Sequence, residues 1–271
     1  MSAPPDEVLA AFVARPGSAV RLEGGEGNAW RAGSIVLKPV NNAAVVEWLA
    51  TTIEEVDDGE GFRMSRHVPA NDGRWVVEGW AATTWLEGAT ASGRWDELLA
   101  TSGAFHAAIR SVPAPPDGVL DRQTPWSVGD RVAWGEEEPA ECPGEVGAVI
   151  DRLRPLVDTP WTGAPAQVIH GDIGGNVLFA EDLAPAVIDV SPYVRPAALA
   201  DAVAVVDAIA WEAAPLTLAM RFGMTENGDQ LLARAVVYRV VAAAVAFPDL
   251  PQRISGEVDA YSKVLTALRG I

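Results

Sequence analysis

Short apolar runs separated by turn residues dominate the first 88 positions of the chain, a pattern typical of β-strands. It predicts strands over residues 19–23, 29–32, 35–40 and 62–68, and a mostly extended segment over residues 74–86. Helices are expected at two places only, over residues 7–14 after Pro4-Pro5 and over residues 43–55 after the N-cap residue Asn42. This part of the chain should therefore be a small, β-rich domain.

The pattern changes after Gly88, where apolar residues recur at helical spacing. Helices are expected over residues 95–110, 144–156, 196–212, 229–247 and 255–268, and a proline-rich loop over residues 112–125. The strand signals in this part are residues 166–169, 177–179 and 186–190. The pattern as a whole predicts an α+β protein with a β-rich part, residues 1–88, and a helical part, residues 89–271.

The composition narrows the classes of partner. There are 37 acidic and 20 basic residues, giving a formal net charge of −17. Such a charge disfavours nucleic acid and anionic membranes as partners and tolerates cationic small molecules, although it also serves solubility alone. Cys142 is the one cysteine, which excludes an internal disulfide and a cysteine metal site. The sequence shows neither a signal peptide nor a span of about 20 apolar residues, so we expect a cytoplasmic protein.

Polar residues stand among apolar strands between residues 167 and 190: His170, Asp172, Asn176 and Asp189. Buried charge is unfavourable unless it is compensated. A hairpin over this stretch would bring Asp172, Asn176 and Asp189 around one mouth, and their oxygens suit Mg²⁺. Two other interpretations are an ordinary hairpin with chance polar residues and a hydrolytic metal held by His170 and Asp172. For the metal, no third or fourth ligand lies at a zinc-like spacing, since His67 and His106 are isolated in the sequence.

A second group of candidates lies in the β-rich part. Glycines in a turn between strands, here Gly25 and Gly27 with Asn28 beside them, let backbone N–H groups approach phosphates closely. Lys38 lies on the third predicted strand, where it either reaches the surface or contacts phosphates. Glu47 lies on the following helix, where its carboxylate either pairs with Lys38 or is exposed to solvent.

His-Gly-Asp followed by an asparagine, a strand and Ile-Asp resembles the catalytic loop and metal-binding segment of the aminoglycoside phosphotransferase family. The order of parts along the chain is also similar: glycine loop, strand lysine, helix glutamate, hinge, catalytic loop and metal aspartate. The resemblance implies a bilobal protein-kinase-like fold. Residues 1–88 would be the nucleotide-binding lobe, with the hinge over residues 83–88, and residues 89–271 would carry the catalytic hairpin and the acceptor site.

The resemblance also implies a reaction and the residues that perform it. The γ-phosphoryl group of ATP would pass to a hydroxyl of a small molecule, such as an amino sugar, an aminoglycoside or an amino alcohol. Asp172 would be the catalytic base, and Asn176 and Asp189 would hold Mg²⁺. Gly25, Gly27, Asn28 and Lys38 would contact ATP, with Glu47 holding Lys38. Three residues separate Asp172 from Asn176 where the family usually has four, and two of the three are glycines, Gly174 and Gly175, which permit a shorter path.

The remaining polar residues are assigned mainly structural roles. His170 and His106 are expected to be packed, and Asp201 to brace the catalytic loop. Arg195 would contact an anionic group or cap the next helix through Asp201. Residues 191–196 are too short and proline-stiffened for the activation segment of a regulated protein kinase. Of the ten tryptophans, one or two of Trp126, Trp134, Trp161 and Trp211 would face a sugar-like acceptor. A catalytically silent kinase-like protein that binds nucleotide or a partner is the alternative.

Overall fold

The computed structural model describes residues 2–23, 27–53, 56–139 and 142–270. The chain forms two compact units. The first unit comprises Met1–Thr90, Ala104–Leu120 and Gly175–Val190, and the second comprises Ala91–Gly103, Asp121–Gly174 and Ser191–Ile271. Two segments beyond the predicted boundary at residue 88 thus pack with the first 90 residues.

The regular elements follow the predicted order, with several differences. The strands are β1 (Val20–Arg21), β2 (Trp30–Ala32), β3 (Ile35–Pro39), β4 (Arg63–Met64), β5 (His67–Val68), β6 (Val76–Val77), β7 (Trp80–Thr84), β8 (Gln167–His170), β9 (Val177–Ala180), β10 (Leu183–Val187) and β11 (Pro192–Arg195). The α-helices are α1 (Asp6–Ala11), α2 (Ala43–Thr52), α3 (Trp95–Ala108), α4 (Pro125–Ala133), α5 (Gly144–Val157), α6 (Ala198–Trp211), α7 (Thr217–Gly223), α8 (Gly228–Ala246) and α9 (Pro251–Ser262).

An antiparallel sheet of order β1-β2-β3-β7-β5, with β6 also paired to β7, forms most of the first unit. Side chains alternate between the two faces of a strand. On β3, Ile35 and Leu37 are buried in an apolar cluster that also contains Leu9 and Phe12 from the α1 region. Lys38 therefore points away from this core, and its backbone pairs with Ala81 of β7.

The predicted strand over residues 62–68 is two strands that belong to different sheets. β4 pairs in parallel with β10, whereas β5 pairs with β7. The change of partner occurs at Ser65 and Arg66, where the backbone N–H of Ser65 still donates to Val187 and that of Arg66 donates to the Thr84 hydroxyl. The prediction of one continuous strand is therefore wrong.

The predicted hairpin over residues 166–190 is also divided. β9 and β10 pair as an antiparallel hairpin in the first unit. β8, which ends at the histidine of the His-Gly-Asp sequence, pairs instead with β11 in the second unit. The short segment at residues 192–195 is thus a strand that the sequence analysis did not predict.

Helix α8 forms the centre of the second unit, since almost all of its side chains are buried. α4 packs closely on it: a Cβ at Gly129 would clash with the backbone oxygen of Tyr238, so this position requires glycine. Helices α4 and α7 were not predicted. Among the described residues, no helix is long and apolar enough to cross a membrane.

Candidate active site

Lys38 and Asp189 form the central contact of the candidate site in the first unit. The Lys38 ammonium lies 2.5 Å from Asp189 Oδ2, although 151 residues separate them in the chain. Both side chains remain accessible, with exposures of 35% and 48%. Strand alternation on β3 directs Lys38 away from the core, and β10 brings Asp189 to the same place. The structure therefore unites two predicted site residues from distant parts of the chain.

Asn176 lies opposite the residue that precedes Asp189. Its backbone carbonyl accepts a hydrogen bond from the Ile188 N–H at 3.0 Å, extending the β9–β10 ladder beyond the Val177–Val187 pair. Asp189 then adopts a left-handed backbone conformation, with φ of 54°. This conformation is unusual for a residue with a side chain and often marks a functional turn. The hairpin thus places the backbone of Asn176 next to Ile188, one residue before Asp189.

This pair of residues fits a magnesium ion better than a transition metal. A carboxylate and an amide supply hard oxygen donors, and Mg²⁺ is usually held by one or two protein ligands together with waters and phosphates. No group of three or more His, Cys, Asp or Glu side chains arranged to hold a metal occurs in the described part of the chain. A site made by Asn176 and Asp189 would therefore need oxygens from a bound molecule.

His67 lies on β5, near Asp189. Burial lowers the pKa of His67 to about 4, although the negative charge of Asp189 opposes this shift. The imidazole is therefore neutral at physiological pH and adds no positive charge beside Lys38. The sequence analysis singled out His67 only as an isolated histidine.

In the second unit, backbone contacts between β8 and β11 hold the loop that carries Asp172. The Nδ1 atom of the buried His170 accepts hydrogen bonds at 3.3 Å from the N–H groups of Asp172 and Ser191. The Gly171 N–H donates to the Ser191 carbonyl at 2.9 Å. A Cβ at Gly171 would clash with the ring of Tyr193, so the loop requires glycine at this position. His170 thus has the packed position that the sequence predicted.

The carboxylate of Asp172 forms an ion pair that the sequence analysis missed. Arg239 of α8 donates from Nη2 to Asp172 Oδ1 at 2.6 Å, and it also binds Asp207 of α6 through two hydrogen bonds. The Tyr261 hydroxyl donates to Asp207 Oδ1 at 2.9 Å. Arg239 is 6% exposed, whereas Asp172 is 48% exposed. A buried network therefore ends in one accessible carboxylate.

This arrangement determines the charge states of Asp172 and Arg239. Burial alone would raise the pKa of Asp172, but the adjacent charge of Arg239 and its hydrogen bond hold it below the ordinary value. Burial likewise opposes the charged form of Arg239, yet the carboxylates of Asp207 and Asp172 keep its pKa well above the ordinary value. Asp172 is therefore ionised throughout the neutral range.

The predicted glycine loop is described only in part. Gly25 lies outside the described residues. Gly27 has a left-handed backbone, with φ of 64°, and its carbonyl accepts a hydrogen bond from Arg21 Nε at 2.9 Å. Asn28 follows it and precedes β2. Gly27 and Asn28 thus lie at a turn between β1 and β2, as the sequence predicted.

Glu47 is not brought to Lys38. Helix α2 begins after Asn42, whose side chain accepts hydrogen bonds from the N–H groups of Ala44 and Val45. Val45, Trp48 and Leu49 form its buried face, so Glu47 points into solvent. Lys38 is paired with Asp189 in its place.

Arg195 and Asp201 have contacts different from those predicted. Arg195 binds the carboxylates of Asp130, at 2.7 Å, and Glu136, at 2.5 Å, rather than Asp201. Asp201 accepts a hydrogen bond from Ser102, whereas Asp207, six residues further along α6, binds Arg239. The bracing role expected of Asp201 therefore falls to Asp207. His106 is buried at 2% exposure, as expected of a packed histidine.

Replacing Asp201 with asparagine should stabilise the protein at neutral pH. Burial raises the pKa of Asp201 from 3.8 to about 6 against the Ser102 hydrogen bond. Ionisation therefore favours the unfolded chain, and stability falls as the pH rises from 3.8 to 6. By this linkage, Asp201→Asn should gain up to about 3 kcal/mol near pH 7 and much less near pH 4.

Urea unfolding at the two pH values measures this difference. The exposed residue Asp259 on α9 provides a matched control, and Asp259→Asn should change little. An equal effect of Asp201→Asn at both pH values would contradict the explanation.

Tryptophans line a cavity of about 380 Å³ in the second unit. Trp134 and Trp161 pack edge to face in its wall, with ring centroids 5.6 Å apart. The lining also includes charged side chains, namely Glu137, Glu138, Asp158, Arg154 and Arg234. Trp126 lies at the N-terminal end of α4, where it is 40% exposed and the Arg239 guanidinium lies over its ring. About 12 Å of helix separates the two ends.

Comparison with solved structures identifies the fold. The chain is similar to a thermostable mutant of aminoglycoside phosphotransferase APH(4)-Ia in ternary complex with ADP and hygromycin B, with a TM-score of 0.64, 12% identity and 100% coverage of both chains. It is similar to the microcompartment-associated aminopropanol kinase, with a TM-score of 0.57, 15% identity and 97% coverage of both. A third similar structure is choline kinase LicA from Streptococcus pneumoniae, with a TM-score of 0.52, 10% identity and coverage of 97% and 96%.

The fold is that of the protein-kinase-like phosphotransferases, and the predicted α+β class is confirmed. A family model described as the phosphotransferase enzyme family matches residues 45–216, more than half of the 271 residues. The chain therefore belongs to the phosphotransferase enzyme family, which confirms the predicted family and enzyme class. No curated protein matches the chain.

Proposed function

We propose that this phosphotransferase moves the γ-phosphoryl group of ATP to a hydroxyl of a small, amine-bearing molecule. The observation that carries the proposal is the 2.5 Å contact between Lys38 and Asp189. A lysine beside an accessible aspartate, with Asn176 immediately before the neighbouring strand β9, supplies what a triphosphate with its divalent ion requires. In the protein without nucleotide, the two charges compensate each other.

The roles of the nucleotide-binding residues follow from their charges. Lys38 would exchange Asp189 for phosphate oxygens, and its ammonium would offset their negative charge. Asp189 and Asn176 would hold Mg²⁺, which when bound neutralises charge on the phosphates. Gly27 and Asn28 would offer backbone N–H groups to the same phosphates, as would Gly25. Glu47 is exposed and contributes less than the other residues to this proposal.

Asp172 would act on the acceptor. Its ionised carboxylate accepts a hydrogen bond from the acceptor hydroxyl and orients the oxygen toward the γ-phosphorus. A lone pair of this oxygen forms the new P–O bond, while the bond from the γ-phosphorus to the bridging oxygen breaks and its electron pair leaves with ADP. The hydroxyl proton passes to Asp172 and then to solvent. Positioning and charge compensation supply most of the catalysis in such transfers.

An amine-bearing acceptor is favoured by charge. The chain carries a net charge of −17, and the wall of the tryptophan-lined cavity has three carboxylates, Glu137, Glu138 and Asp158, against the two guanidiniums of Arg154 and Arg234. Carboxylates and tryptophan faces both attract cationic groups. Hygromycin B, aminopropanol and choline, named for the similar proteins, all carry such a group. About 12 Å of helix α4 separates the cavity from Trp126, which lies near Arg239. The cavity would therefore contact only a large acceptor, at the end remote from the reacting hydroxyl.

Measurement of ADP release over a panel of acceptors tests the proposal. Hygromycin B, aminopropanol and choline are compared with glucose and glycerol, in Mg²⁺ and in EDTA. We expect Mg²⁺-dependent turnover with at least one amine-bearing acceptor. Turnover with neutral acceptors alone would contradict the charge argument. Calorimetric ATP binding without turnover on a wide panel would instead favour the catalytically silent protein.

A further inference from the structure

Arg239 lies in the middle of the buried helix α8, and it lies outside residues 45–216, the segment that the family model matches. An arginine in such a position must be compensated, because isolated buried charge is strongly unfavourable. Asp207 compensates it through hydrogen bonds from Nε, at 3.0 Å, and from Nη2. If Arg239 and Asp207 contacted only each other, their opposite charges would cancel.

Arg239 has a second carboxylate partner, since it also donates a hydrogen bond to Asp172 at 2.6 Å. Asp207 is fixed from a third side by Tyr261, whose hydroxyl in turn accepts a hydrogen bond from Trp211 Nε1 at 3.0 Å. The guanidinium is therefore anchored at one side by buried partners and reaches the accessible Asp172 at the other. A planar guanidinium held in this way sets the direction of the carboxylate it binds.

We propose that Arg239 is the positioning residue of the phosphotransfer reaction: anchored by Asp207, its guanidinium holds the Asp172 carboxylate in the direction in which it orients the acceptor hydroxyl. The proposal rests on the proposed function in assigning the acceptor to Asp172. Arg239 itself touches neither the acceptor nor the nucleotide in this scheme. It acts through Asp172 alone.

Asp172 in this arrangement is a weak base and a good hydrogen-bond acceptor. A loose phosphoryl-transfer transition state needs little proton removal before the new bond forms, so orientation matters more than basicity. The charged and titratable groups around Asp172 include Arg239 and Tyr238 from α8, Asp207 from α6 and His170 from β8. Among these, Arg239 is the one that contacts the carboxylate with a full positive charge.

The titration of Asp172 provides a test that does not depend on turnover. Carboxyl carbon NMR would compare the wild type with Arg239→Gln and Arg239→Lys. Removing the charge should raise the titration midpoint of Asp172 by about one to three pH units, whereas lysine should largely preserve it. An unchanged midpoint in a folded Arg239→Gln variant would overturn the proposal.

Arg239→Gln leaves Asp207 buried without its partner and is expected to be destabilised. The double variant Arg239→Gln with Asp207→Asn removes both charges, keeps similar side-chain shapes and serves if the single variant does not fold. It should still raise the Asp172 midpoint, because Arg239 is the nearer of the two groups. The same midpoint as in the wild type would again overturn the proposal.

Kinetics with the acceptor found in the ADP-release panel provide the second readout. Arg239→Gln should lower kcat by about 10- to 100-fold and move the acidic limb of the kcat profile upward, with KM for ATP within about twofold. Arg239→Lys should restore the limb and only part of kcat. A lowered kcat with an unmoved limb would mean a merely structural role. If the wild type phosphorylates nothing, the proposed function fails, while the NMR titration still decides the role of Arg239.

Discussion

Substitution of Asp172 by asparagine is expected to lower kcat by about 10²- to 10⁴-fold. Asparagine keeps the shape of the side chain but removes the negative charge that accepts the acceptor hydroxyl and its proton. It also removes the second carboxylate from Arg239, although Asp207 continues to compensate that buried guanidinium. Steady-state measurement of ADP release and calorimetry of ATP binding together separate the two steps, and binding should stay within about twofold because Asp172 contacts no phosphate in the proposed scheme.

Asp182→Asn is a suitable control for this experiment. Asp182 is an exposed carboxylate in the turn between β9 and β10, and its left-handed backbone, with φ of 57°, is readily adopted by asparagine. The Asp182→Asn variant should have the same kcat as the wild type. If Asp172→Asn retained more than about a tenth of the wild-type kcat, the carboxylate would not have the role assigned to it.

Replacement of Lys38 by methionine should reduce kcat/KM for ATP by about 10²- to 10³-fold. Methionine preserves the apolar stem and removes the ammonium, so the phosphates lose their fixed positive charge. The folded state should be almost unaffected, because an ion pair as accessible as Lys38–Asp189 contributes at most about 1 kcal/mol. Kinetics at varied ATP and thermal unfolding of the same samples measure the two effects.

The chain contains one other lysine, Lys263, which provides the matched control. Its ammonium lies 3.4 Å from the Ala210 carbonyl in the second unit, whereas Lys38 and Asp189 belong to the first unit. Lys263→Met should leave kcat/KM for ATP unchanged. Equal losses for the two variants would show that removing any lysine, and not the phosphate contact, causes the effect.

Local patterns predicted the parts of the site that lie on regular elements. Alternation on β3 indicated that Lys38 leaves the core, and the His-Gly-Asp sequence located Asp172. The pairing of strands that are distant in the sequence was harder to predict. Nothing in the alternation of residues 62–68 or 166–190 shows which strand will be the neighbour, so β4, β5, β8 and β11 received the wrong partners or none.

Arg239 shows a different kind of omission. The sequence analysis found no span of about 20 apolar residues, and Arg239 is one of the two arginines, with Arg234, that interrupt the apolar sequence of α8. The same observation held more information, because an arginine within a buried helix requires a carboxylate. Asp201 and Asp207 were both available on α6, and six residues of helix turn them to different sides. Only the packing of α6 on α8 determines which one meets the arginine.

The dependence of Asp172 on α8 has a consequence for synthesis and proteolysis. The His-Gly-Asp loop leaves the ribosome 67 residues before its arginine does. A nascent or truncated chain that ends before Arg239 would display the family's catalytic motif without the group that orients it. If Arg239 has the proposed role, such a chain would transfer phosphate poorly until α8 is complete and packed in the second unit.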